Sequence, residues 1–200
     1  DDLEAARALL AAKANPGAEN RYGVSPLSLA CTNGNAAMVT LLLDAGADSN
    51  GPLRGGETPL MTAARTGELG SVEVLIARGA VVDARLENGQ TALMWAAADG
   101  HTAVVKALLA AGADFRTPLG TGFTPLLFAA RAGHTDVVLA LLDAGIDLNE
   151  VTSPTIRPGN KQLRKGSGVL TTAVENGRFE LAALLLDRGA DASDMRSGYS

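Results

Sequence analysis

The residues in this chain best suited to chemistry are His101 and His134, each preceded by glycine and followed by threonine, and exactly 33 positions apart. Two imidazoles in matched settings could form a metal or proton-transfer pair, but zinc would need further ligands in tetrahedral geometry. The one cysteine, Cys31, rules out a disulfide within the chain and a zinc site built on two thiolates. Its reactivity would require a cationic, exposed setting, which its surroundings do not suggest. Asp99 with Asp136, or Asp83 with Glu87, could be paired as carboxylates for acid–base work, yet no nucleophile with an adjacent base accompanies them. No glycine-rich phosphate loop opens a helix after a strand, and no metal-ligand spacing is present. The expectation is a chain without catalysis, cofactor or metal.

Composition narrows the field further. At 200 residues the chain fits one domain or one array of small units, and a formal charge of −5 with a pI near 5.0 argues against general nucleic-acid binding. The longest apolar runs, Ala92 to Ala98 and Ala107 to Ala113, are seven residues long, far short of the roughly 20 needed to span a bilayer. Ala and Leu, the best helix formers, make up about a third of the residues while aromatics are 4%. The 23 glycines must then punctuate many short helices.

A period organises them. Ser25-Pro26-Leu27-Ser28, Thr58-Pro59-Leu60-Met61, Thr91-Ala92-Leu93-Met94 and Thr124-Pro125-Leu126-Leu127 begin 33 residues apart. Each is followed nine residues on by Gly34, Gly67, Gly100 or Gly133 and 21 residues on by Gly46, Gly79, Gly112 or Gly145. A fifth copy, degenerate at its start, runs from Gly168 through Gly177 to Gly189, displaced by an insert of 11 residues. Ser or Thr before Pro predicts a helix start, since the hydroxyl caps an orphan amide and proline's φ suits the first turn. Alanine pairs such as Ala96-Ala97 keep that first helix slim. Val104-Val105 with Leu108-Leu109 give the second helix one apolar stripe, which the later glycine closes in a left-handed cap. No unit of this size buries its own apolar face, so the units must stack into an all-α solenoid.

These residues resemble the ankyrin repeat family: the 33-residue period, the T-P-L-x-x-A-A segment, Gly-His before Val-Val, and Leu-Leu-x-x-Gly-Ala-Asp at Leu108 to Asp114. The resemblance implies antiparallel helix pairs, finger-like connectors, and a concave groove of fingers and first helices that binds another protein. It also implies that His101 and His134 make structural hydrogen bonds between repeats. The array is similar to bacterial ankyrin arrays, some of them exported, so a soluble cytoplasmic, periplasmic or secreted setting is expected, as a monomer.

The chain departs from the family in ways that carry expectations of their own. The family's histidine at the fourth tetrad position is replaced by Ser28, Met61, Met94, Leu127 and Thr171, losing its bond to the tetrad hydroxyl. Gly70 and Ser71 weaken the second helix of repeat two, which is expected to fray first. Residues 1–13 form a partial repeat, repeats start near 25, 58, 91, 124 and 168, and Gly198-Tyr199-Ser200 begins a further one. The whole, 1–200, is expected to be a single domain and a segment of a longer protein.

The groove positions implied by the resemblance include Arg21 and Tyr22 in repeat one, and Arg54, Glu57 and Arg65 in repeat two. Repeat three supplies Glu87, Asn88 and Asp99; repeat four supplies Phe123 and Arg131. The insert, about 152–167, adds Arg157, Lys161, Arg164 and Lys165, a basic finger on a body whose charge without them is −9. Trp95 and Phe128 share one register and read as core filler more readily than as a ligand platform. Two functions follow: a protein-binding module using this groove, or a passive scaffold or regulatory segment of a larger, possibly enzymatic, protein. Anion-polymer binding by the basic finger alone would be weak and salt-dependent.

Overall fold

The computed structural model describes residues 2–52, 55–152 and 168–193, and these contain eleven α-helices and no strand. A lone helix, α1 (Leu3–Ala11), precedes five pairs: α2 (Pro26–Thr32) with α3 (Ala36–Asp44), α4 (Pro59–Thr66) with α5 (Leu69–Ala77), α6 (Ala92–Asp99) with α7 (Thr102–Ala110), α8 (Pro125–Ala132) with α9 (Thr135–Asp143), and α10 (Val169–Glu175) with α11 (Phe179–Asp187). The even-numbered helices are the first helices of their repeats.

Each first helix begins where a hydroxyl can stop the backbone fraying. Ser25, Thr58, Thr91 and Thr124 accept from the amides of Ser28, Met61, Met94 and Leu127 at 3.2, 3.3, 3.3 and 3.4 Å, each cap worth about 1 kcal/mol. Proline follows as the first helical residue in α2, α4 and α8. Gly168 offers no such cap to α10. Where the family carries its tetrad histidine, Met61, Met94 and Leu127 are buried instead, and Ser28 keeps a polar contact with the Ser25 hydroxyl at 3.1 Å. Apolar packing thus replaces the missing hydrogen bond.

The alanine pairs Ala63-Ala64, Ala96-Ala97 and Ala129-Ala130 are fully buried. With so little side chain between them, successive first helices meet more extensively than successive second helices, whose interface carries Val and Leu. The stack therefore bends toward its first helices, which line the inner side with the fingers. The fingers are tied in series. Asn50 accepts from the Val81 amide at 2.7 Å and donates to the Gly79 carbonyl, Asp83 accepts from the Asp114 amide at 2.8 Å, and Asn149 accepts from the Asp191 amide at 2.8 Å.

The turn between helices is also a seam between repeats. Gly67, Gly100 and Gly133 end their helices in left-handed conformation with φ of 79°, 82° and 87°. A Cβ on Gly100 would stand 2.6 Å from Nδ1 of His134, so the glycine both makes the turn and seats the next repeat's imidazole. Nε2 of His101 lies 2.9 Å from the Arg65 carbonyl, and Nε2 of His134 lies 3.0 Å from that of Ala98. A carbonyl only accepts, so these nitrogens carry protons and the pair is structural, as the resemblance implied.

Three places deviate. α5 runs its full nine residues despite Gly70 and Ser71; a Cβ on Gly70 would sit 3.1 Å from the Ala36 Cβ, and the buried Ser71 hydroxyl has no hydrogen-bond partner. In repeat five Arg178 replaces the seam histidine and sends Nε to the Arg131 carbonyl at 3.1 Å. There α9 and α11 stand apart, leaving an open cleft of about 460 Å³ beside Arg178 and an exposed Phe179. At the other end α1 lies on α3 as a second helix does and buries no residue, and the apolar groove it forms with α2 leaves Leu29 50% exposed.

Candidate partner-binding face

Three registers line the inner side of repeats two to four: the residue just before the tetrad, on the finger; the fifth residue from the tetrad's start; and the residue three further along the first helix. In repeat two they are Glu57, Thr62 and Arg65. The Glu57 carboxylate accepts from the Thr62 hydroxyl at 2.8 Å and from Nη2 of Arg65 at 3.3 Å, a closed polar set. In repeat three they are Gln90, Trp95 and Ala98, and the Arg65 guanidinium crosses over to lie 5.2 Å from the Trp95 ring centre. The Trp95 indole N–H is buried and has no acceptor.

Repeat four replaces this set with aromatics. Phe123 and Phe128 lie 5.0 Å apart with planes tilted by 40°, and the Arg131 guanidinium sits 4.9 Å from the first ring and 5.2 Å from the second. Each such cation–π contact is worth about 0.5–1 kcal/mol at an exposed position. Arg131 is exposed, Phe123 half-buried and Phe128 buried. Among the described residues no carboxylate pairs with Arg131, unlike Arg65.

The other expected face residues are placed as follows. Arg21 lies over the ring of Tyr22 at 4.7 Å, and the Asn20 carboxamide holds that fingertip by accepting from the Tyr22 and Val24 amides. Tyr22 is 61% exposed. Glu87 and Asn88 are exposed on the third finger, where Asn88 accepts from the Gln90 amide and donates to its side chain, so its polar groups shape the turn. Asp99 is exposed at the end of α6. Arg54, Arg157, Lys161, Arg164 and Lys165 lie outside the described residues. Phe123, Arg131 and Arg65 are therefore brought into clusters, while Arg21 with Tyr22 stands on a separate finger.

Phe128 is buried, in keeping with the core-filling role read from sequence, whereas Trp95 is half-buried; the rings lie beneath Arg131 and Arg65 respectively. The signal lay in the registers: Glu/Thr/Arg, Gln/Trp/Ala and Phe/Phe/Arg change as sets.

The remaining chemical candidates are accounted for by structure. Cys31 is fully buried, and burial pushes its thiol up to about 12. Asp83 is spent on the Asp114 amide. Asp114 is held below the usual carboxylate range chiefly by its hydrogen bond from Thr117, helped by the Arg116 and Thr117 amides and the Arg85 charge against the cost of burial. Arg78 pairs with Asp44 and Arg85 with Asp114, the latter at 3.2 Å, away from the aromatic clusters. Among the described residues no group of three His, Cys, Asp or Glu side chains could hold a metal ion, and no helix is long and apolar enough to cross a membrane.

The model of the family described as ankyrin repeats (3 copies) matches residues 1–86 and 80–152. The chain belongs to the ankyrin repeat family. Its helix pairs, fingers and glycine-closed turns are those of an ankyrin solenoid, and the face described above is the side formed by ankyrin fingers and first helices. Ankyrin repeats are generally protein-protein interaction modules and typically non-catalytic. Among curated proteins, none matches the chain.

Proposed function

We propose that this ankyrin array, acting as one domain, holds a protein or peptide partner on the face formed by its fingers and first helices and carries out no catalysis itself. The observation that carries the reading is that three registers on this face change together while the frame around them repeats. Aromatic rings and arginines, the residue types that dominate binding energy at interfaces, occupy them in repeats two to four. Anchors in this reading are Phe123, Arg131 and Arg65, with Arg21, Tyr22, Arg54, Glu87, Asn88 and Asp99 around them. The basic finger residues Arg157, Lys161, Arg164 and Lys165 add electrostatic steering toward an acidic partner.

Affinity capture from cell extract with the native chain, beside one variant carrying Y22A, F123A and R131A and another carrying R157E, K161E, R164E and K165E, tests this. A partner held by the native chain and lost from the first variant supports the face. Salt-sensitive capture weakened by the second supports the steering role. A partner held equally by all three would overturn the face assignment, and the array would act as a scaffold.

A further inference from the structure

The two arginines at the same register of repeats two and four form an internal comparison. Arg65 meets a carboxylate that comes from the residue just before the tetrad, Glu57, at 3.3 Å. The equivalent residue in repeat four is Phe123, so Arg131 loses the anion and gains two ring faces. The guanidinium carbon lies over both rings, at 4.9 and 5.2 Å, and no carboxylate pairs with Arg131 among the described residues. A guanidinium held over two rings has less rotamer freedom to lose when an anion docks, and its fork of N–H donors matches a carboxylate. In the same register stand Ala98 in repeat three, which brings no charge, and the exposed Glu175 in repeat five. Glu175 repels a second negative charge on that side and favours a visitor with a single carboxylate.

We propose that Phe123, Phe128 and Arg131 form a pocket for one glutamate side chain of a partner peptide, flanked by apolar residues that rest against Phe123. The visiting glutamate takes the place that Glu57 fills in repeat two. The inference rests on the face proposed above as the binding surface and adds the partner's chemistry to it. The internal template also supplies the control: Phe123→Glu sets a carboxylate at the register from which Glu57 meets Arg65, so that Arg131 is paired from within the chain, with Phe128 standing in the place of Thr62.

The test follows the side-chain Nε–H signals of ¹⁵N-arginine-labelled protein during titration with three pentapeptides: Ala-Leu-Glu-Leu-Ala and its Gln counterpart, both blocked at both ends, and Ala-Leu-Ala-Leu-Ala blocked only at its N-terminus, with a free terminal carboxylate. The Glu peptide should move the Arg131 signal saturably, with a response up to about fivefold weaker to the Gln peptide. F123E should shift the Arg131 signal before any peptide is added and abolish the response, while K106A, on the outer α7, leaves it intact. Equal response to Glu and Gln peptides, equal shifts at Arg116 and Arg131, or an F123E protein that still responds would each overturn the pocket. A stronger response to the free terminal carboxylate would overturn the side-chain assignment. A natural partner that is captured through the face yet is indifferent to F123E removes the pocket and leaves the face, whereas loss of the face itself shows as capture insensitive to Y22A, F123A and R131A together.

Discussion

Replacing Gly100 or Gly112 by alanine separates two costs that the repeat has combined. Both glycines have positive φ, 82° and 86°, so alanine pays about 1–2 kcal/mol for the left-handed backbone at either site. Around Gly112 a new Cβ meets nothing within 4 Å, whereas at Gly100 it would meet the His134 ring at 2.6 Å. The ring must move, and its hydrogen bond to the Ala98 carbonyl goes with it, a further loss of about 1 kcal/mol. G100A should therefore cost about 2–3 kcal/mol and G112A about 1–2. Urea unfolding followed by circular dichroism reads both, and in a chain of this length each kcal/mol lowers the melting temperature by about 2–4 °C. The decisive arm is the cycle with H134A: once the ring is gone, G100A should cost no more than G112A. Equal costs in the native background, or an excess at Gly100 that survives H134A, would refute the account of the seam.

Three other outcomes follow from buried and charged groups. Cys31, with its thiol pushed up to about 12 by burial, should react with thiol reagents at pH 8 only as fast as the first repeat opens, and in urea at the rate of a free thiol; rapid labelling of the folded chain would contradict its place in the core. Ser71→Ala removes a buried hydroxyl without a partner, so thermal unfolding should show repeat two stabilised by about 1 kcal/mol. Asp114 has a lowered folded-state value, so the stability it contributes is present above its unfolded value near 4 and is lost as pH falls through the folded one. The stability gap between the native protein and D114N, measured by urea unfolding, should narrow steadily as pH drops below about 4.

The helix pairs were legible in sequence because their determinants are local. A hydroxyl three residues ahead of an amide, a proline in the first turn and a glycine at a left-handed cap act within one repeat, so Thr124, Pro125 and Gly133 announce α8 without any knowledge of its neighbours. The structural role of His101 and His134 followed from the family resemblance and matches their bonds to the preceding repeat. Contacts between repeats were less legible. Trp95 reads as core filler from its spacing, and only the position of Arg65 one repeat earlier makes it a platform. The separation of α9 from α11 accompanies Arg178 in place of histidine, and one substitution in a linear pattern does not announce an opened cleft. Gly70, read as a weakness of α5, also lets that helix approach Ala36 closely, a role visible only across two repeats.

The central claim is that a partner is held on the finger and first-helix face. Photo-crosslinking tests it most directly, with benzoylphenylalanine placed singly at Tyr22, Asn88 or Phe123 on that face and at Glu73 or Lys106 on the outer second helices. Crosslinks to one partner from the first three positions and none from the last two are the predicted result. Crosslinks confined to Glu73 and Lys106 would contradict the account and move the binding surface to the outer side of the array.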